Sequence, residues 1–222
     1  WSIPEREDPR DAFVSRSFHS LEELPEGARL GTSSLRRAAQ LKAWRADLQI
    51  VSIRGNVQTR IRKIDEELDG GVLAAAGLKR LGLQARIAEI IPPERMLPAV
   101  GQGALALEVR AADADTRRRV EALEHRDTRI AVSCERAFLA RMGGGCQVPI
   151  AAHATVDGDR LAFRGLVGEP DGTRTIEYRD AITFRALEEV ERLGTEAADR
   201  VIAQGAAELL ARVYTPGGVP ES

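Results

Sequence analysis

Between Arg29 and Ala75 short apolar runs alternate with amphipathic ones, and a small or polar turn marks each change: RLGTSSLRR, IVSIRGNVQTR and GGVLAAAGLKR. Hydrophobic spacing that switches between a strand period of about 2 and a helical period of about 3.6 calls for strands joined by crossing helices. The fold class that follows is an α/β layer with mainly parallel strands. The pattern predicts a strand ending at Gly31, a helix from about Ser34 to Arg45, a strand over Leu48–Ile53, a helix from about Val57 to Leu68 and a strand near Val72–Ala75. Val57, Ile61, Ile64 and Leu68 share one face of the second helix.

Beyond Arg86 the alternation stops. The prolines and glycines of IIPPERMLPAVGQG mark a connection, and ALALEVR reads as a strand. Residues 113–142 carry a helical pattern broken near His125. After Cys146, three strand-like runs are separated by DGD and PDG, both turn signals, and a long helix is predicted over about Phe184–Val213. This second unit is a smaller α+β domain with a three-stranded antiparallel sheet.

Charge is distributed unevenly. The 222 residues sum to a net charge of −2, yet residues 29–86 hold 12 basic against 5 acidic side chains. Such a block suggests an anionic ligand. Nucleic acid fits poorly, because aromatic residues for stacking make up only 4% of the chain. No apolar run approaches the ~20 residues of a membrane span. Two cysteines and no signal-peptide pattern point to a reduced, cytoplasmic setting. The isolated His19, His125 and His153 show no metal-ligand spacing.

Two junctions carry candidate chemistry. In GTSSLRR, Thr32, Ser33 and Ser34 can cap a helix start, while Arg36 and Arg37 in its first turn oppose the helix dipole. Either they are solvated, or an anion sits there. SIRGNVQTR repeats the arrangement with Arg54 and Arg60, and parallel packing would bring the four arginines to one sheet edge, where ligands of open α/β sheets bind. Lys79 and Arg80 follow a third strand. Cys134 lies in a helical pattern and reads as a buried thiol. Cys146 ends the bend RMGGGCQVPIA and reads either as an incidental thiol or as a reactive one.

The segments EREDPRDAFVS, GTSSLRRAAQL, RGNVQTR, LAAAGLKRLG, LPAVGQGALALE and GGGCQVPIAA, in this order, resemble the porphobilinogen deaminases (hydroxymethylbilane synthases) over essentially the whole chain. The resemblance implies a transferase of haem and chlorophyll biosynthesis that joins four porphobilinogen units head to tail, with loss of ammonia, on a dipyrromethane cofactor. It implies a thioether from the cofactor to Cys146, beside Gly145, and contacts from Ser34, Arg36, Arg37 and Arg80. Arg54 and Arg60 would meet incoming carboxylates, with Gln102 near the hinge. It further implies a cytoplasmic monomer whose first lobe resembles a domain of type II periplasmic binding proteins.

By the same resemblance, residues 1–9 would close a preceding domain, 10–98 form the arginine-rich second domain, 99–125 the hinge and return segment, and 126–222 the third domain. The family's first domain carries a Lys-Asp pair in an HSMKDVP-like motif, with the Asp assisting deamination. That motif does not occur here, and the linker IDEELDGGV looks one residue short. The expectation is a chain that is inactive by itself and needs that domain. The alternative is a non-catalytic binder of oligopyrroles or other polyanions.

Overall fold

The structure, a computed structural model, describes residues 1–144 and 148–214. Its first sheet is built from β1 (Asp11–Val14), β2 (Arg29–Gly31), β3 (Gln49–Val51), β4 (Gly70–Ala74) and β5 (Glu89–Ile91), in the order β3-β2-β4-β1-β5. α1 (Leu35–Trp44) crosses from β2 to β3, α2 (Val57–Glu67) from β3 to β4, and α3 (Ala75–Arg80) follows β4 directly.

The three strands expected from periodicity are present and mutually parallel. The expectation of mainly parallel strands holds for four of the five, and one reversed strand makes the sheet as a whole mixed. β1 pairs antiparallel with both β4 and β5, so it alone runs against the other four. β1 and β5 escaped the argument because they lie outside the strand–helix alternation of residues 29–75. Adjacent residues of β1 point to opposite faces. Phe13 joins a core with Leu30, Leu41 and Val72, while Ala12 and Val14 join another with Ile61, Ile64 and Leu78. Both faces are therefore covered, and β1 is buried along its whole length, with β2 and β4 beside it buried except at Arg29 and Ala74.

The second sheet is an antiparallel meander, β6 (Ile150–Asp157), β7 (Arg160–Gly168) and β8 (Thr175–Thr183), in the order β6-β7-β8. Its inner face packs on α5 (Arg126–Arg141) and α6 (Leu187–Val201), with Phe138 and Phe163 in ring contact at 5.3 Å. The exposed α4 (Ala114–Glu121) precedes α5, and His125 is the N-cap between them, accepting from Thr128 N. The predicted long C-terminal helix is interrupted. A π-helical segment over 202–206 holds Gly205 at φ 99°, and α7 (Ala207–Tyr214) restarts after it. Left-handed backbone is cheap only for glycine, so the break falls there.

ALALEVR is not a strand. Leu107 makes one bridge, to Ser2, and the flanking Leu105 and Glu108 are exposed. One bridge satisfies two backbone groups, too few to hold a ladder.

The two units are tied through a buried carboxylate. Glu135 of α5 is fully buried and accepts from Arg6 Nη1 (2.6 Å) and Nη2 (3.1 Å), Gly101 N (2.7 Å) and Ala154 N (2.9 Å). One side chain thus joins the N-terminal segment, the 99–104 turn, α5 and β6. Gly103 is pressed against the N-terminal segment with φ 85°, where a Cβ would lie 2.4 Å from the Glu7 carbonyl oxygen. Leu97, Ala151 and Leu166 form a small apolar seam between the units, and Ala152 N donates to Pro98 O at 3.1 Å. Glu135→Ala strands Arg6 as a buried unpaired cation and is expected to cost about 3–5 kcal/mol, read as a lower urea midpoint at unchanged slope.

Candidate functional site

β2 lies between β3 and β4, all parallel, so the starts of α1, α2 and α3 meet at one edge of the sheet. Ser34 caps α1, its hydroxyl accepting from Arg37 N, and Asn56 caps α2, accepting from Thr59 N at 2.8 Å. The side chains that could have bound an anion at these starts are thus committed to the helices. Arginines supply the charge instead. Arg60 is half-buried and donates through Nε to Gly55 O at 2.8 Å. Burial, and then the like charge of Arg37, push its pKa down, which places the two guanidinium groups in one field. Arg54 and Arg80 are exposed and make no hydrogen bond or ion pair among the described residues. Lys79 is engaged with Glu7 (3.2 Å) and Asp8 (3.1 Å).

Beneath this edge lies a buried ionic cluster. Asp11 Oδ2 accepts from Arg36 Nη1 at 2.7 Å, and Oδ1 from Arg36 Nη2 (3.2 Å), Arg37 Nε (3.0 Å), Arg37 Nη2 (2.8 Å) and Gln102 Nε2 (2.9 Å). Arg36 also donates to Leu97 O and to Gln102 Oε1, and Arg37 to Val72 O. Gln40 braces the arrangement by accepting from Leu97 N and donating to Leu97 O. All of Asp11, Arg36 and Arg37 are buried. Two guanidinium groups share one carboxylate, so a positive charge is left over, and Arg36 Nε is buried without a partner. Burial alone would raise the pKa of Asp11, but the facing Arg36 and Arg37 outweigh it and hold it at about 2.

The helix-start arginines Arg36 and Arg37, which the sequence left either solvated or facing an external anion, are buried on an internal one. Asp11 was not anticipated. The signal that could have found it is a lone acid heading the otherwise apolar run DAFV. Gln102 sits in the cluster rather than apart from it, and also donates to Pro9 O. Arg6, Gln40 and Glu135 were missed as well. Cys134 is buried, and that burial, with Glu135 adjoining, pushes its thiol far up, so it is inert. Cys146 and Gly145 lie outside the described residues. Among the described residues no cluster of His, Cys, Asp and Glu could hold a metal ion, and no helix is long and apolar enough to cross a membrane.

A mixed α/β unit with arginines gathered at one sheet edge, joined to a three-stranded α+β unit, defines a two-domain α/β and α+β chain. Family models sharpen the class. Residues 1–118 match "Porphobilinogen deaminase, dipyromethane cofactor binding domain", and residues 129–203 match "Porphobilinogen deaminase, C-terminal domain". The chain belongs to the porphobilinogen deaminase family. It is 52% identical over 215 residues to the porphobilinogen deaminase of Geobacter metallireducens, a match that covers 96% of this chain and 66% of that protein. The chain thus spans just under two thirds of that relative's length. A solved structure from Actinomyces odontolyticus is 17% identical with a TM-score of 0.37, covering 55% of this chain and 60% of its own, too loose a likeness to carry an argument.

The cluster has a pH signature. The folded pKa of Asp11 lies below its ordinary value of 3.8, so its contribution to stability is complete above that value and is lost as pH falls through about 2. Between these limits wild type is expected to lose about 2 kcal/mol that Asp11→Asn does not, measured by urea denaturation along a pH series.

Proposed function

We propose that this chain is the cofactor-holding and chain-holding part of a porphobilinogen deaminase. That enzyme would condense four porphobilinogen molecules head to tail and release the tetrapyrrole, with addition of one water across the bond to the cofactor, as hydroxymethylbilane. In each condensation the aminomethyl C–N bond of the incoming porphobilinogen breaks and ammonia leaves. A C–C bond forms to the free α-carbon of the terminal pyrrole, and that carbon gives up its proton. The observation that carries the reading is the surplus of guanidinium charge at one sheet edge. Arg36 and Arg37 share a single carboxylate, while Arg54 and Arg80 have no partner among the described residues. A growing pyrrole chain bears acetate and propionate groups on every ring, and forked guanidinium donors suit carboxylates.

The donor set at this edge fits a dipyrromethane with its four carboxylates. Tethered to Cys146, such a cofactor would supply the terminal pyrrole carbon that receives the first substrate. In this reading Arg36, Arg37 and Arg80, with the Ser34 cap beside them, hold the attached chain. Arg54 and Arg60 meet the carboxylates of the incoming porphobilinogen, and Gln102 links the crevice floor to the hinge. The finer architecture belongs to the same proposal. β1, the one reversed strand, lies inside an otherwise parallel set, and residues 1–7 run beside 101–107, as expected of the second lobe of a protein built like the type II periplasmic binding proteins. The domain limits at residues 9, 98 and 125, a monomeric state and a cytoplasmic location also form part of it.

Two measurements test it. The intact mass of the chain made in a porphobilinogen-producing host is expected to exceed the polypeptide mass by two pyrrole units, with a positive aldehyde stain for pyrroles. Both should vanish in Cys146→Ser. An unmodified wild-type thiol would favour the non-catalytic polyanion binder. In the adduct-bearing chain, Arg54→Ala and Arg60→Ala are each expected to weaken porphobilinogen binding by about 10–100-fold, the loss of one charge-assisted contact, read by isothermal titration.

A further inference from the structure

We propose that Asp11 is a positioning residue. It draws Arg36 and Arg37 together and holds them beneath the sheet edge where α1, α2 and α3 begin, and the load of pyrrole chain on the protein depends on it. The ligand in this inference rests on the function proposed above.

The two arginines would not converge by themselves. Consecutive residues of a helix point about 100° apart and do not face each other, and like charges repel. Here both heads nevertheless meet at one carboxylate. Arg36 grips it end-on, one nitrogen to each oxygen. Arg37 grips one oxygen from the side, through Nε and Nη2, which frees Nη1 to reach Val72 O. The different grips absorb the angle between the side chains.

The strand direction makes this possible. Asp11 opens β1, opposite Ala74, the last residue of β4. Only a strand running against β2 and β4 brings its first residue to the edge where their chains leave for the helices. A strand parallel to them would begin at the far end of the sheet. The reversed β1 and the acid at its head thus form one device.

The device has two consequences for a ligand. Both guanidinium groups are ordered before anything binds, so an incoming carboxylate need not freeze two long side chains. One acid against two bases also leaves a single buried positive charge at the floor, with Arg60 close enough to Arg37 to feel it. The vacancy in charge matches one carboxylate. Gln102 completes the bracket by donating to Asp11 and accepting from Arg36, so the hinge registers how the pair is held.

Asp11→Asn tests the proposal, since it keeps the shape and removes the charge. Arginine side-chain NMR signals report whether each guanidinium is held, and Arg6, clamped by Glu135, serves as an internal control for the fold. The expected result is that Arg6 keeps its hindered signals, Arg36 and Arg37 lose theirs, and the fraction of Cys146 carrying pyrrole units falls about tenfold or more. Unchanged Arg36 and Arg37 signals, or lost signals with full pyrrole load, would overturn it.

If Asp11→Asn does not fold, wild type supplies a second measurement. The Arg36 and Arg37 signals must then follow the carboxyl-carbon titration of Asp11 in acid, and a separate course would overturn the proposal. A wild-type chain without any pyrrole adduct would sink the proposed function instead. The NMR comparison would still decide whether Asp11 holds the pair.

Discussion

One buried carboxylate bears on both halves of the site. Asp11 lies under the first lobe with two guanidinium groups on it, and without its charge neither arginine could stay in the interior, because a lone buried cation is far costlier than a paired one. The pair in turn fastens α1 to the middle of the sheet through Val72 O and to the connection at Leu97 O. The ground beneath the helix starts is therefore a polar core.

The second dependence is between the lobes. Glu135 gathers the N-terminal segment, the turn at Gly101 and strand β6 into one node. Arg6 also donates through Nε to Gln102 O. Gln102 thus touches both nodes, with its side chain in the Asp11 cluster and its backbone in the Glu135 one. The unit that follows the glycine bend and the unit with the arginines are joined by hydrogen bonds of fixed direction. The apolar seam of Leu97, Ala151 and Leu166 between them is small.

Much of this was legible in the chain. α1 and α2 fall within a residue of their predicted ends, because GTSS and RGN carry cap chemistry that acts locally. The three antiparallel strands were legible for the same reason, since DGD and PDG are turns by composition. What failed was non-local. ALALEVR alternates like a strand but finds only Ser2, and no reading of its own residues could reveal a missing neighbour. β1 stands outside the strand–helix alternation that announced its neighbours, although its direction decides where Asp11 emerges.

The candidate site divides the same way. The sequence by itself determined that cationic side chains collect at the helix starts, because that follows from strand–turn–helix order and from the identity of four arginines. It also determined the family resemblance, carried by short motifs whose residues are fixed by local geometry. Only the tertiary structure decided which of those arginines are free. Arg36 and Arg37 share the carboxylate of a strand 25 residues away, whereas Arg54, and Arg80 after the third strand, are exposed with no ion-pair partner among the described residues. That division comes from which acid is packed within hydrogen-bonding distance, a matter of strand order and direction that no run of neighbouring residues encodes.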